Sequence, residues 1–167
     1  MPSPAAPMLD VPRWARTAAQ AVPLVTLPSA LWRVALVAGV PVMADVQLLW
    51  WEPAYILGLS LVSELLALLT LGLVQPWGEV VPRWLPLLGG RRVPPLAAIV
   101  PAALGAVTLT LIWGFAFWNV LTGSFLDSFD GVQQGLVIVC YTPALAWGPL
   151  LAAVTIAYHR RRRPVRS

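Results

Sequence analysis

The sequence contains no lysine, one cysteine and one histidine, and it is poor in charge. Charged residues make up 11% of its 167 residues, whereas soluble domains carry about a quarter. The single Cys140 excludes an intrachain disulfide and a CxxC redox or metal pair. Within its apolar run, VIVCY, we expect it to be a small buried hydrophobe. His159 stands alone beside a run of arginines, so we expect no histidine-rich metal site, and the sequence indicates neither a metal nor a cofactor.

Motifs for common catalytic sites are also missing. The sequence has no GxSxG, HExxH, HRD or Walker pattern. Ser60, Ser63 and Glu64 are neighbours in one apolar run, but no lysine or histidine accompanies them in that run. They make a weak catalytic set, and the sequence therefore assigns no catalytic residue.

Long hydrophobic runs dominate what is present. Hydrophobic residues form 59% of the chain, and the charges gather between the runs, as expected when the solvent is a lipid bilayer. The pattern predicts an all-α fold, a four-helix transmembrane bundle forming one domain over residues 20–158. The predicted spans are 22–43, 55–74, 96–118 and 135–158, with tails 1–19 and 159–167 and a central loop 75–95.

Prolines indicate where these spans bend or begin. Pro41 follows Gly39, so the first helix is expected to bend or end there. Pro95 falls in the first turn of the third span, where a missing N–H costs little. The fourth span is expected to kink near Pro143 or Pro149.

The distribution of bases predicts the orientation. The N-terminal tail, the central loop and the C-terminal tail contain all the arginines except Arg33, and the other two loops contain none. The positive-inside rule then places both termini and the central loop of this multi-pass protein in the cytoplasm. The net charge of +4 is explained by this topology. The basic and aromatic surface that nucleic-acid binding requires is absent from the pattern.

Two charges fall inside predicted spans. Arg33 and Glu64 each lie near the middle of a span, where an isolated charge costs at least about 2.5–3.5 kcal/mol. Consecutive helices pack antiparallel, so the two residues are expected at similar depth in the membrane. We therefore hypothesise that they form a buried ion pair. Such a pair serves either as a structural strut or as a proton or anion site.

A second group of charges is acidic and falls in the two loops on the outer side. With the aromatic residues around them, these carboxylates could bind a cation or a basic peptide, although exclusion of bases from translocated loops explains them equally well. The group comprises Asp45, Glu52, Asp127 and Asp130.

The basic residues of the central loop and of the C-terminal tail are expected at the cytoplasmic lipid surface. Each arginine there favours contact with anionic headgroups by about 1 kcal/mol. The residues predicted to contact headgroups are Arg83, Arg91, Arg92, Arg160, Arg161, Arg162 and Arg163.

The central segment QPWGEVVPRWLPLLGGRRVPP, the following AAIVPAALGA and the end LAWGPLLAAVTIAYHRRRR carry a resemblance. In these stretches the chain resembles a group of short multi-span membrane proteins of actinobacteria. The similarity covers roughly the second half of the chain and is most specific at WGE, PRW and GGRRVP. The resemblance implies a bacterial inner-membrane protein and adds no catalytic residue.

The small size and low polar content leave little room for a private substrate cavity. We therefore expect a non-enzymatic accessory or assembly subunit that packs against itself as a homo-oligomer or against a larger membrane protein. Two alternatives stay open. One is an oligomeric small transporter or channel whose path is lined by Arg33 and Glu64. The other is an intramembrane enzyme acting on lipid or isoprenoid substrates, with Glu64 as its acid–base group.

Overall fold

The protein is an all-helical bundle whose helices are of membrane-spanning length. The computed structural model describes residues 11–42, 48–78, 80, 90, 93–122 and 130–162. Four helical segments among these residues are long and apolar enough to cross a membrane. The predicted all-α transmembrane architecture is thereby confirmed. The helices are α1 (Arg13–Val37), α2 (Glu52–Gly72), α3 (Pro95–Thr122), α4 (Gly131–Tyr141) and α5 (Trp147–Arg162).

The first helix lies closer to the N-terminus than the predicted span 22–43. It begins directly after Pro12 and passes through Pro23 and Pro28 without ending. Its end is fixed by Gly39, whose φ of 77° is a conformation that glycine adopts at little cost. The main-chain N–H groups of Gly39 and Val40 donate back to Leu36 and Ala35 at 3.1 and 3.0 Å, forming a Schellman cap. The backbone conformation and hydrogen bonds at Gly39 therefore end α1 before the end of the apolar run 22–43.

The last span is interrupted. α4 and α5 are joined by a 3-10 segment, Thr142–Ala146, and together they cover the membrane-spanning length Gly131–Arg162. Pro143 has no N–H and cannot continue the α-helical hydrogen bonding. The predicted kink near Pro143 is confirmed. The span begins at Gly131, earlier than the predicted residue 135, because Asp130 and Gln133 form a capping box there.

The bundle is organised around α1 and α5. The closest helix pairs are α3 with α5, α1 with α2, and α1 with α5, so α2 and α3 lie on opposite sides of a central pair. A line of small residues brings α3 and α5 together. A Cβ on Gly148 would overlap Thr110 Oγ1 and would lie 3.0 Å from the carbonyl oxygen of Ala106. This close approach is typical of membrane helices that pack through small side chains.

The helix ends fall into two groups. In α5, Arg161 donates to the carbonyl of Leu73 at the end of α2, and Tyr158 donates to that of Gly78 in the 3-10 turn Pro76–Gly78. Arg162 donates to the carbonyl of Val93 just before α3. We call this the basic end of the bundle; the start of α1, with Arg13 and Arg16, belongs to it. At the opposite end, Gln133 of α4 donates to the carbonyl of Pro41 after α1, with an N–O distance of 3.4 Å.

Candidate functional site

Arg33 is the most deeply placed cation among the described residues. It lies one turn before the end of α1, yet its side chain is only 9% exposed. Its Nε donates to the carbonyl oxygen of Ser29 and its Nη2 donates to Ser29 Oγ, each at 3.1 Å. The guanidinium therefore points away from the near end of the helix and towards the interior. A snorkelling arginine would extend the other way.

Glu64 lies on the face of α2 that packs on α1. Its Oε2 is 3.2 Å from the hydroxyl of Thr26, a residue of α1 that is 2% exposed. Its other oxygen, Oε1, is buried and has no hydrogen-bond partner among the described residues. One oxygen of this carboxyl thus has a single neutral contact, and the other has none.

The predicted direct ion pair between Arg33 and Glu64 is not formed. The structure gives the two residues separate partners, and no described carboxylate oxygen lies within 4.0 Å of the Arg33 guanidinium. The reason is register. Glu64 lies opposite Thr26, which precedes Arg33 by almost two turns of α1, so the two Cα positions differ in depth by about 10 Å. The prediction of equal depth counted from a first span beginning at residue 22, whereas α1 begins at Arg13.

Two hydroxyl residues lie between the two charges instead. Ser29 accepts from Arg33 and donates through its Oγ to the carbonyl of Thr26 at 2.8 Å, and the Thr26 hydroxyl contacts Glu64. We call Arg33, Ser29, Thr26 and Glu64 the polar relay. It runs along the buried face of α1 and ends on α2. The sequence carried a signal for it, because Thr26 and Ser29 precede Arg33 at helical spacing on the same face.

The serines beside Glu64 do not join the relay. Ser60 donates to the carbonyl of Ile56 and Ser63 donates to the carbonyl of Leu59, both at 2.8 Å. Each hydroxyl is therefore used within its own helix. The set of Ser60, Ser63 and Glu64 that the sequence brings together shows no hydrogen bond among its members.

Two aromatic residues of the interrupted last span pack against α1, α2 and α3. Trp147, at the start of α5, is 3% exposed and packs against Val22 of α1 and Ala67 of α2. At the end of α4, Tyr141 contacts Trp32 edge-on at a ring distance of 5.4 Å. Tyr141 also meets Trp113 of α3 at 5.9 Å, so three helices converge on one phenol. The Arg33 charge lies within electrostatic range of that phenol.

This region also contains two indole N–H groups without partners. The Nε1 atoms of Trp32 and Trp147 are buried and make no hydrogen bond to any described residue. A buried donor that lacks an acceptor costs about 1–3 kcal/mol. Together with Glu64 Oε1, they are three buried polar atoms without a hydrogen-bond partner among the described residues.

The arginines at the basic end differ in their surroundings. Arg160 is exposed, in keeping with the predicted contact with lipid headgroups. Arg161 donates to the carbonyl of Leu73 at 2.6 Å and Arg162 to that of Val93 at 2.8 Å. Both guanidinium groups also lie over the ring of Tyr158, at 5.7 and 5.5 Å. Arg161 and Arg162 therefore join helix ends, a role the headgroup prediction did not include. Arg83, Arg91, Arg92 and Arg163 lie outside the described residues.

Of the two described members of the acidic group, Asp130 caps a helix and Glu52 does not. Glu52, the first residue of α2, accepts through Oε2 the N–H of Leu49, which precedes the helix, at 2.8 Å. Asp130 Oδ1 accepts the N–H of Gln133 at 2.8 Å at the start of α4. A carboxylate at a helix N-terminus satisfies free N–H groups and complements the helix dipole. Asp45 and Asp127 lie outside the described residues, and no metal-binding group of three His, Cys, Asp or Glu residues occurs within the described part of the chain.

An open apolar groove separates α3 from α5 on the outer surface of the bundle. Its volume is about 380 Å³. Thr110 and Thr155 are its hydroxyl residues, and both donate to carbonyls of their own helices at 2.7 Å. Because both hydroxyl hydrogens are already used, the groove presents an apolar surface to any bound group. Its lining is Ala103, Ala106, Val107, Thr110, Leu111, Ala152, Thr155 and Ile156.

Comparisons of the chain with models of protein families, with curated proteins and with solved structures found no match. The similarity to small actinobacterial membrane proteins stays a prediction. The function is therefore argued from the residues and geometry above.

Proposed function

We propose that this protein is a non-enzymatic assembly subunit of a bacterial plasma membrane, and that it binds a second copy of itself or a larger membrane protein. The observation that carries the proposal is the position of α3 at one side of the bundle. This helix has 28 residues, and its one fully buried residue is Ala106. Its outward side presents large apolar residues such as Phe115, which is 71% exposed.

The α3–α5 groove supports the same proposal. Five of its eight lining residues are alanine or threonine, and small residues on a membrane helix allow another helix to approach closely. Polar groups that could hold a soluble substrate are absent from its lining, because both threonine hydroxyls are already bonded. A helix of a partner membrane protein matches this shape and polarity.

Photo-crosslinking in the native membrane tests the proposal. A photoreactive amino acid at Val107, in the groove, is compared with one at Ile112 on a different face of α3. The two side chains are 59% and 55% exposed, so they point in different directions but are almost equally accessible. A single protein adduct from position 107 alone is the expected result, and its mass distinguishes a second copy from a larger partner. Lipid adducts alone from both positions would contradict the proposal.

The membrane and the orientation belong to the proposal too. All described arginines apart from Arg33 lie at the basic end, which the positive-inside rule assigns to the cytoplasm. Fusion of a fluorescent protein that matures only in the cytoplasm to the C-terminus tests this assignment. A fusion protein that is expressed at a normal level but does not fluoresce would indicate the opposite orientation.

The polar relay favours a second candidate, an oligomeric small transporter or channel. Intramembrane charges are costly and often mark ion or proton paths, and Arg33 and Glu64 lie at the two ends of the polar relay. Within it, Ser29 donates to the main-chain carbonyl of Thr26, and the Thr26 hydroxyl contacts Glu64. Proteoliposomes containing a pH-sensitive dye test this candidate. Proton flux in the wild type that is abolished by Glu64→Gln would support transport, whereas equal passive leak in both would exclude it.

A further inference from the structure

The Thr26 hydroxyl has one hydrogen but three oxygen atoms within reach. These are the carbonyls of Val22 and Pro23, at 3.3 and 3.1 Å, and Glu64 Oε2 at 3.2 Å. Only one of them can receive the Thr26 hydrogen in a strong bond. The position of that hydrogen decides whether the Glu64 carboxyl must itself carry a hydrogen.

Other hydroxyls in this chain show where such a hydrogen goes. In membrane helices, serine and threonine commonly donate to a carbonyl three or four residues earlier. The same arrangement recurs throughout the described helices, including the neighbours of Glu64. It is found at Thr17, Ser60, Ser63, Thr70, Thr110, Thr122 and Thr155. Thr26 has the same choice in Val22 and Pro23, so its own helix is the natural acceptor.

With the Thr26 hydrogen directed to its own helix, the hydrogen between Thr26 Oγ1 and Glu64 Oε2 has to come from Glu64. An ionised Glu64 would otherwise place two charged oxygens in the bundle with no donor directed at either. The elements packed on α2 are α1, the 3-10 turn Pro76–Gly78 and the start of α5, through Trp147. Arg33 is the one charged residue among the buried described residues, and its Nε and Nη2 donate to Ser29.

We propose that Glu64 is a binding site for a single exchangeable proton within the bundle, where it is a carboxylic acid whose O–H donates to Thr26 Oγ1. The hydrogen bonds then run in one direction, from Glu64 to Thr26 and from Thr26 to a carbonyl of α1. The buried Oε1 becomes the carbonyl oxygen of a neutral acid, and leaving it without a donor costs far less than leaving a charged oxygen in the same place. The inference does not depend on the assembly proposal.

Infrared spectroscopy of the full chain in lipid vesicles at neutral pH provides the test. The protonated carboxyl has a C=O stretching band separate from those of carboxylates and amides. The band is expected in the wild type and in Glu52→Gln, and it is expected to be lost in Glu64→Gln. Glu52 is the matched control in the same helix, because it lies in the first turn of α2 and accepts the main-chain N–H of Leu49. Loss of carboxylate absorption in Glu64→Gln, with no loss of the acid band, would overturn the proposal.

A second substitution keeps the proposal testable if Glu64→Gln folds poorly. Thr26→Val has a similar shape but removes the acceptor, so the acid band is expected to persist and to shift in frequency. An unshifted band would contradict the contact with Thr26. A lipophilic carbodiimide gives an independent readout, since the acid O–H adds across its C=N bond and the adduct rearranges to a stable N-acylurea. Mass spectrometry of peptides should find this adduct at Glu64 and not at Glu52, and equal labelling of both would count against the site.

Discussion

The phenol of Tyr158 donates a 3.2 Å hydrogen bond to the main-chain carbonyl of Gly78. This bond ties the last helix to the turn that follows the second helix. Tyr158 is fully buried, and the guanidinium groups of Arg161 and Arg162 lie over its ring. One aromatic residue therefore organises the basic end, where helices distant in sequence come together.

Removing the phenol oxygen should weaken this end without disturbing its packing. Tyr158→Phe keeps the ring and leaves the Gly78 carbonyl without its donor, so unfolding in detergent should become easier by about 1 kcal/mol. Tyr55→Phe is the control, because Tyr55 is 61% exposed. Equal unfolding midpoints for the two variants would show that the Gly78 bond contributes nothing to stability.

The arginines of the last turn should differ in importance although they are adjacent in sequence. Arg162→Ala removes the donor to the Val93 carbonyl and the cation over Tyr158, and hydrogen bonds involving charged groups contribute about 1.5–3 kcal/mol. Arg160→Ala removes an exposed side chain and should leave the unfolding midpoint nearly unchanged. Thermal unfolding of both variants in the same detergent measures the difference. A larger loss from Arg160→Ala would refute the assignment.

Hydropathy and proline chemistry were sufficient to predict the architecture. Apolar runs long enough to cross a bilayer predicted the four spans, and all four occur. The break at Pro143 was predictable as well, since a residue without an N–H cannot complete the helical hydrogen-bond pattern. These features depend on local chemistry, which the sequence displays directly.

The register between α1 and α2 could not be predicted in the same way. It depends on where each helix begins, and α1 begins at Arg13 rather than at the predicted residue 22. That displacement separates Arg33 from Glu64 and leaves Thr26 opposite the carboxyl. Hydropathy does not resolve a shift of two turns within an apolar run, so the predicted ion pair failed although both charges do face the interior.

The capping box at the start of α4 has a signature in the sequence, because Gln133 follows Asp130 by three residues. Asp130 accepts from the Gln133 N–H, and Gln133 accepts from the Asp130 N–H at 3.3 Å. Asp130→Ala should destabilise the fold by about 1 kcal/mol, whereas Asp130→Asn, which keeps a capping oxygen, should have a smaller effect. Denaturant titration followed by circular dichroism tests the order. Equal losses would indicate that the charge of Asp130 matters and its cap does not.

The contact between α3 and α5 leads to the strongest mutational contrast in the chain. A Cβ on Gly148 would overlap the hydroxyl of Thr110 and would lie 2.8 Å from its main-chain nitrogen, and a backbone atom cannot move aside as a side chain can. Gly148→Ala should therefore force the helices apart and destabilise the fold by about 1–3 kcal/mol. Gly114→Ala is the matched control, because a Cβ there meets nothing within 4 Å. Since alanine favours helix by about 1 kcal/mol over glycine, Gly114→Ala should keep or raise the unfolding midpoint. A midpoint for Gly148→Ala at or above that of the wild type would mean that α3 and α5 do not approach through Gly148 in the membrane.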